Sequence, residues 1–186
     1  LYEDVKAEPK ETKVNRINPY LMDASDVFIE RMQEAICDVP KMCFGNMPAD
    51  GGALIIEESE LDAFLKLEPK AEKYVRKFLG ADEFINARNR YCLWLVGANP
   101  AELRAMPRVM ERIERCKKVR EHSSRPHLAA IPSLFAQITQ PEGVPYLLIP
   151  SATSSTRRYI PMGFFDGSVI TSNLNLIIPN ASLYHF

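Results

Sequence analysis

The sequence predicts an α+β domain, with short β-strands at both sides of a central helical segment and room for two lobes. Three observations carry that prediction. A charged stretch with helical apolar spacing occupies the middle of the chain, and apolar runs without a helical period lie before it. The final third alternates β-type runs with turns and loses nearly all its charge. At 186 residues and 21.1 kDa, the chain has the length of one domain or two small ones.

Taken in order, residues 1–16 are polar and alternate in charge, which reads as an arm or linker, and residues 17–186 form the domain. Residues 40–52 are dense in turn formers and end on the tight-turn signal Asp50-Gly51-Gly52. The apolar run 53–56 follows as a strand. Ser59 fits an N-cap, with Asp62 at the third helical position, for a short helix through Lys66. Pro69 suits the first turn of a second helix, with Ala71, Tyr74, Val75, Phe78 and Leu79 as its apolar stripe and Gly80 as its stop. Residues 91–96, Tyr-Cys-Leu-Trp-Leu-Val, read as a buried strand in which Trp94 is packing.

Asn99-Pro100-Ala101-Glu102 supplies a cap, a first-turn proline and a returning acid, the pattern of a helix start. Leu103, Met106, Met110 and Ile113 then form an apolar face, with Val109 and Cys116 at its border. Pro107 should kink the first turns, and Arg125-Pro126 should close the element. Strands are expected at 134–138, 146–149, 159–164 and 174–178. No internal repeat is evident.

The formal charge of -1, from 23 basic and 24 acidic residues, argues against a polybasic nucleic-acid binder. The charge is segregated, however. Residues 1–70 carry 8 basic and 15 acidic side chains, a balance of -7; residues 71–126 carry 13 and 7, a balance of +6. The last stretch holds only Glu142, Arg157, Arg158 and Asp166. Cys37, Cys43, Cys92 and Cys116 form no Cys-x-x-Cys pair, and His122, His127 and His185 add no ligand cluster, so thiols of a reducing compartment are expected and no metal site. Neither a membrane span nor a signal peptide is present, which predicts a cytoplasmic location. The start at Leu1 and the apolar close at 182–186 read as cuts within a longer polypeptide. Glycine-rich phosphate loops, nucleophile elbows and zinc-protease pairs are all missing, so no catalytic residue is assigned.

Four constellations could carry chemistry. Arg104, Arg108, Arg112 and Arg115 recur along one helical face, extended by Lys118 and flanked by Lys117 and Arg120. Such a stripe can follow a phosphate backbone; it can also be a solvated face, with Glu111 to Arg115 and Glu114 to Lys118 as helical ion pairs. Second, Ser151-Ala152-Thr153-Ser154-Ser155-Thr156-Arg157-Arg158-Tyr159 sets hydroxyls before two arginines and an aromatic in a nearly uncharged region. Arginine and hydroxyl side chains are readers of base edges and phosphates, though an ordinary polar loop has the same composition. Third, Asn18-Pro19-Tyr20 is similar to the Asn-Pro-Pro-Tyr turn that holds a flipped adenine, but lacks the second proline and any methyl-donor loop. Fourth, Asp50 with Glu68-Pro69-Lys70 imitates a metal nuclease's carboxylate set, yet Pro69 does not suit the central strand that chemistry needs.

Several dispersed strings resemble one family. Ile17-Asn18-Pro19-Tyr20-Leu21 with Asp23, Pro40-Lys41-Met42, Gly45-Asn46 and Asp50-Gly51-Gly52 come first. Glu83-Phe84-Ile85 and Arg90-Tyr91-Cys92-Leu93-Trp94-Leu95 follow, then Arg157-Arg158-Tyr159-Ile160-Pro161 with Gly163-Phe164, and Ser172-Asn173. Over residues 17–186 they are similar to the type IIL restriction–modification enzymes, single chains that fuse an endonuclease, an adenine-specific DNA methyltransferase and a target-recognition domain. The resemblance implies that this chain is the recognition domain, non-catalytic by itself. Double-stranded DNA and the methyltransferase and nuclease domains of the same polypeptide would be its partners. S-adenosylmethionine and magnesium would bind elsewhere in that polypeptide.

The resemblance also implies that Ser154, Ser155, Thr156, Arg157, Arg158 and Tyr159 read bases, with Thr156 and Arg158 as the specificity pair. An acidic residue often stands near Thr156 in the family, so threonine leaves the base read there open. Lys41, Arg104, Arg108, Arg112, Arg115 and Lys118 would meet the DNA backbone. The alternative is a scaffold domain that packs on the catalytic domains without touching DNA, as the near-zero charge allows.

Overall fold

The computed structural model describes residues 11, 13–26, 28, 31 and 38–186. The chain divides into two units, Leu1–Val39 and Pro40–Phe186. In the first, Arg16 pairs with Asp26, and the carboxamide oxygen of Asn18 accepts from the N–H groups of Tyr20 and Met22, each at 3.0 Å.

The second unit holds two four-stranded sheets. One is antiparallel: β1 (Cys43–Phe44), β8 (Asn175–Pro179), β5 (Tyr146–Pro150) and β6 (Gly163–Phe165), in that order. The other runs β2 (Ile55–Glu57), β4 (Arg90–Leu93), β3 (Val75–Leu79) and β7 (Ile170–Thr171), with β3 and β7 parallel. The helices are α1 (Glu58–Leu67), α2 (Ala81–Ile85), α3 (Pro100–Arg104) and α4 (Pro107–Glu121), with 3-10 turns at Pro69–Tyr74 and Pro126–Ala130. The expected α+β class holds, with helices concentrated in the middle of the chain.

Several local expectations change. α1 starts at Glu58 without a side-chain cap, because β2 runs straight into it, and Ser59 lies inside the first turn. The helix expected from Pro69 to Leu79 is a 3-10 turn followed by β3. Ladders to β4 on one side and β7 on the other outweigh the local apolar spacing, as tertiary context commonly does. Gly80 caps α2 instead of stopping a helix, and its N–H donates to the Glu83 carboxylate at 2.8 Å.

Asn99 caps α3 as expected, accepting from Ala101 N–H at 2.9 Å, but the expected returning acid, Glu102, pairs with Lys73 and Tyr74. Pro107 does more than kink: the helix stops at Arg104 and restarts at Pro107, since the residue before a proline avoids the α region and Met106 takes φ -118° and ψ 87°. α4 ends at Glu121, before Arg125. Residues 134–138 form only a bridge between Met47 and Gln137, and the strand expected at 159–164 begins at Gly163.

The largest apolar cluster packs Ile56, Phe64, Leu93, Met106, Val109 and Ile113 between α1, α3, α4 and the mixed sheet. Val109 is central to it, and Cys116 to the neighbouring cluster with Phe78, Phe135 and Ile170. Trp94 packs edge-on against Phe135, centroids 5.3 Å apart, as its apolar setting predicted. A third cluster, Leu79, Tyr146, Leu148 and Ile177, joins the antiparallel sheet to β3.

Arg120 is the largest buried side chain, 1% exposed, and its guanidinium donates only to backbone carbonyls. Nη2 reaches Pro48 and Leu134 at 2.8 Å, Nη1 reaches Ile131 at 2.8 Å and Leu128 at 3.2 Å, and Nε reaches Ala49 at 3.0 Å. One side chain thus ties α4 to the loop at 48–49 and to the segment 128–134. Removing it takes the shared donor from five partly buried carbonyls at once. Arg120→Met is therefore expected to lower stability by at least about 3 kcal/mol, read as a shift in the urea midpoint, and Arg120→Lys should rescue little because an ammonium cannot span five acceptors.

Candidate nucleic-acid interface

The antiparallel sheet places its longest loop at one end. β5 leaves the sheet at Pro150 and returns at Gly163, and Leu148 faces Gly163 across the hairpin. Residues 151–160 between them are all exposed. The loop is fixed at its root: Leu174 carbonyl accepts from Ser151 N–H at 3.0 Å and from Ser151 Oγ at 2.7 Å. Its tip is a small turn in which Arg157 N–H donates to Ser154 carbonyl at 3.1 Å and the Ser154 and Thr156 hydroxyls lie 2.7 Å apart.

The six expected base-reading residues, Ser154, Ser155, Thr156, Arg157, Arg158 and Tyr159, therefore share one exposed loop. Arg158 lies over the Tyr159 ring, 5.4 Å from its centroid, and Tyr159 is 74% exposed. Among the described residues neither Arg157 nor Arg158 meets a carboxylate. Two guanidinium groups with open donors, a row of hydroxyls and a projecting ring can together engage a polyanion with base edges.

The basic stripe divides. Arg104 sits on α3, exposed, and Lys118 is exposed near the end of α4. Arg108 pairs with Glu111 at 3.0 Å, and its backbone N–H reaches Glu68 at 3.2 Å. Arg112 turns inward: its guanidinium donates to Ala53 and Ile55 carbonyls at 3.1 and 2.9 Å, pairs with Glu60 at 3.1 Å and covers Phe64 at 5.2 Å. Arg115 leans toward Gly52 and Ala53 carbonyls at 3.4 Å. The ion pairs expected from Glu111 to Arg115 and from Glu114 to Lys118 do not occur among the described residues; Glu111 takes Arg108 instead. Lys41 is exposed just before β1, and by register β1 starts toward the sheet end opposite the 151–162 loop.

The two defective motifs have structural uses. Asn18 closes its own turn, as described above. Asp50 is buried and accepts from Gly52 and Leu54 N–H groups, and Glu68 accepts from Arg108, so these carboxylates are engaged by backbone. Among the described residues no three His, Cys, Asp or Glu side chains converge on a metal position. Burial pushes the Cys92, Cys116 and Cys43 thiols above their usual range, and Cys37 lies outside the described residues. No helix among the described residues is long and apolar enough to cross a membrane.

Sequence reasoning did not find the root of the loop. Ser151 carries no signal as an anchor, because its partner lies at Leu174 and the contact depends on how β5 and β8 register. Asn46, another residue with no local signal, organises the neighbouring turn.

The chain is similar to known proteins in sequence and in fold. Residues 23–186 match the family model described as MmeI, target recognition domain. The chain is 37% identical over 179 residues to DNA methyltransferase A of Bacillus subtilis (strain 168), covering 94% of this chain and 20% of that protein. It is 43% identical to the type IIL restriction–modification enzyme MmeI, whose structure was solved in complex with DNA, with a TM-score of 0.83 over 97% of this chain and 24% of that one. The chain thus spans about a fifth to a quarter of the relatives it matches. Fold and sequence agree, and the chain belongs to the family of MmeI target recognition domains.

Proposed function

We propose that this chain reads the sequence of double-stranded DNA, chiefly through the loop 151–162, and so positions the methyltransferase and nuclease domains of a longer polypeptide on the duplex. The observation that carries the reading is the anchored, exposed loop with two guanidinium groups that meet no carboxylate among the described residues. Family membership and the similarity to an enzyme solved with DNA support it. Arg158 is the principal reader, held in place by the Tyr159 ring, and Thr156 is its partner. Arg104, Lys118 and Lys41 supply backbone contacts, together with Arg108, whose pairing with exposed Glu111 is exchangeable. Arg112 and Arg115 serve the fold first. S-adenosylmethionine and magnesium bind in the other domains, where the chemistry resides, and the polypeptide works in the cytoplasm.

A second reading, a scaffold domain that does not touch DNA, is favoured by one observation: Arg112 and Arg115, half of the arginine stripe, are directed at protein carbonyls. The two readings separate at the loop. In the full-length polypeptide, Arg158→Ala should cost about 1–3 kcal/mol of discrimination at one base pair, seen by mapping methylated positions, while a scaffold domain would leave sequence preference intact. Lys118→Ala or Arg104→Ala should weaken binding to all duplexes alike and reduce the salt slope by about one per contact. Ser151→Ala should modestly speed thermolysin cleavage within 151–160 with little change in the melting midpoint, since it removes the hydroxyl bond at the loop root but leaves the backbone bond and the sheet.

A further inference from the structure

The turn between β7 and β8, residues 172–174, stands beside the root of the 151–162 loop, and most of its backbone polar groups are engaged internally. Ser172 N–H donates to Leu79 carbonyl at 2.8 Å, Ser172 Oγ accepts from Leu174 N–H at 3.2 Å, and Asn175 N–H donates to Ser172 carbonyl at 3.0 Å. Asn173 N–H donates to Asn46 carbonyl at 2.8 Å, and Leu174 carbonyl takes both donors of Ser151. Gly45 packs so closely against this turn that a Cβ there would lie 2.3 Å from Ser172 carbonyl oxygen. The side-chain carboxamide of Asn173 is left open. It is partly exposed and has no hydrogen-bond partner among the described residues. Its neighbour Leu174 is 58% exposed.

We propose that Asn173 is a second base-reading residue, beside the loop that carries Arg158; the proposal rests on the DNA-reading function above. A carboxamide presents an acceptor and a donor side by side, which matches the N6 donor and N7 acceptor of adenine in the major groove. The turn that carries it is held by backbone bonds, so on binding only the side-chain rotamer of Asn173 has to be ordered. The exposed Leu174 side chain adds an apolar surface of the kind that meets a thymine methyl group.

The test uses the full-length polypeptide, with duplexes in which each base pair of the methylated word is changed one at a time. Asn173→Ala should lower discrimination at a single A·T pair by roughly 5- to 150-fold and leave the other positions and the melting midpoint unchanged. Asn173→Asp, which removes the donor but not the shape, should disfavour adenine there and favour a cytosine that can donate. Unchanged discrimination in both variants would overturn the proposal, as would an equal loss on every duplex or a lowered midpoint, either of which marks a purely structural turn. Arg158→Ala is measured in parallel. If it changes preference while Asn173→Ala does not, only the second reader fails; if both are silent, the DNA-reading function itself fails.

Discussion

The two sheets meet at one saturated carboxamide. Asn46 is fully buried, and its side chain makes all four hydrogen bonds that an amide can make. Nδ2 donates to Gln140 Oε1 at 2.9 Å and Thr171 carbonyl at 3.0 Å, and Oδ1 accepts from Thr139 and Gln140 N–H groups at 2.8 and 2.9 Å. Thr171 belongs to the mixed sheet, while on the antiparallel side Gly45 directly follows β1 and Asn175 begins β8. Asn175 adds two donor bonds, to Leu79 carbonyl at 3.0 Å and Thr171 Oγ1 at 2.9 Å, while its buried Oδ1 has no partner among the described residues. The fully paired Asn46 amide fixes one arrangement in a way that an apolar contact would not, because any slip leaves buried groups unpaired. The loop root at Ser151 and the turn at 172–174 inherit their positions from it.

Electrostatics follows the same economy of position. The regional excess of positive charge in the middle of the chain suggests a phosphate-binding face, yet Arg120 and Arg112 direct their guanidinium groups at backbone carbonyls, where fork geometry serves several acceptors at once. The cations left facing water are fewer than the count implies. The arginines that matter most for the proposed reading stand instead in the segment with almost no charge, where nothing described competes for them. Base readers and phosphate attractors need not coincide within a larger enzyme.

What was legible in the sequence was what local chemistry decides. The Asn99-Pro100 cap, the strands around Tyr91, Tyr146 and Asn175, the α+β class and the exposed hydroxyl–arginine loop all follow from neighbours in the chain. What escaped depends on distant partners. β3 looks helical until β4 and β7 flank it, β7 is too short to signal itself, and Arg120 reads as one more cation flanking the helical stripe. Pro107 shows the intermediate case: the residue predicts a kink, and the helix breaks outright there, with Met106 buried in the core at the break. The proposed readers divide likewise, since Arg158 announces itself by composition and Asn173 only by what its neighbours have already bound.

A loop pinned at Ser151 and bare through residue 160 also separates two kinds of selection. Substitutions there touch no core side chain, so they carry little stability cost, while the junction below tolerates almost none. Such a fold can diversify its recognised word by rewriting a surface segment, without re-evolving the scaffold that presents it.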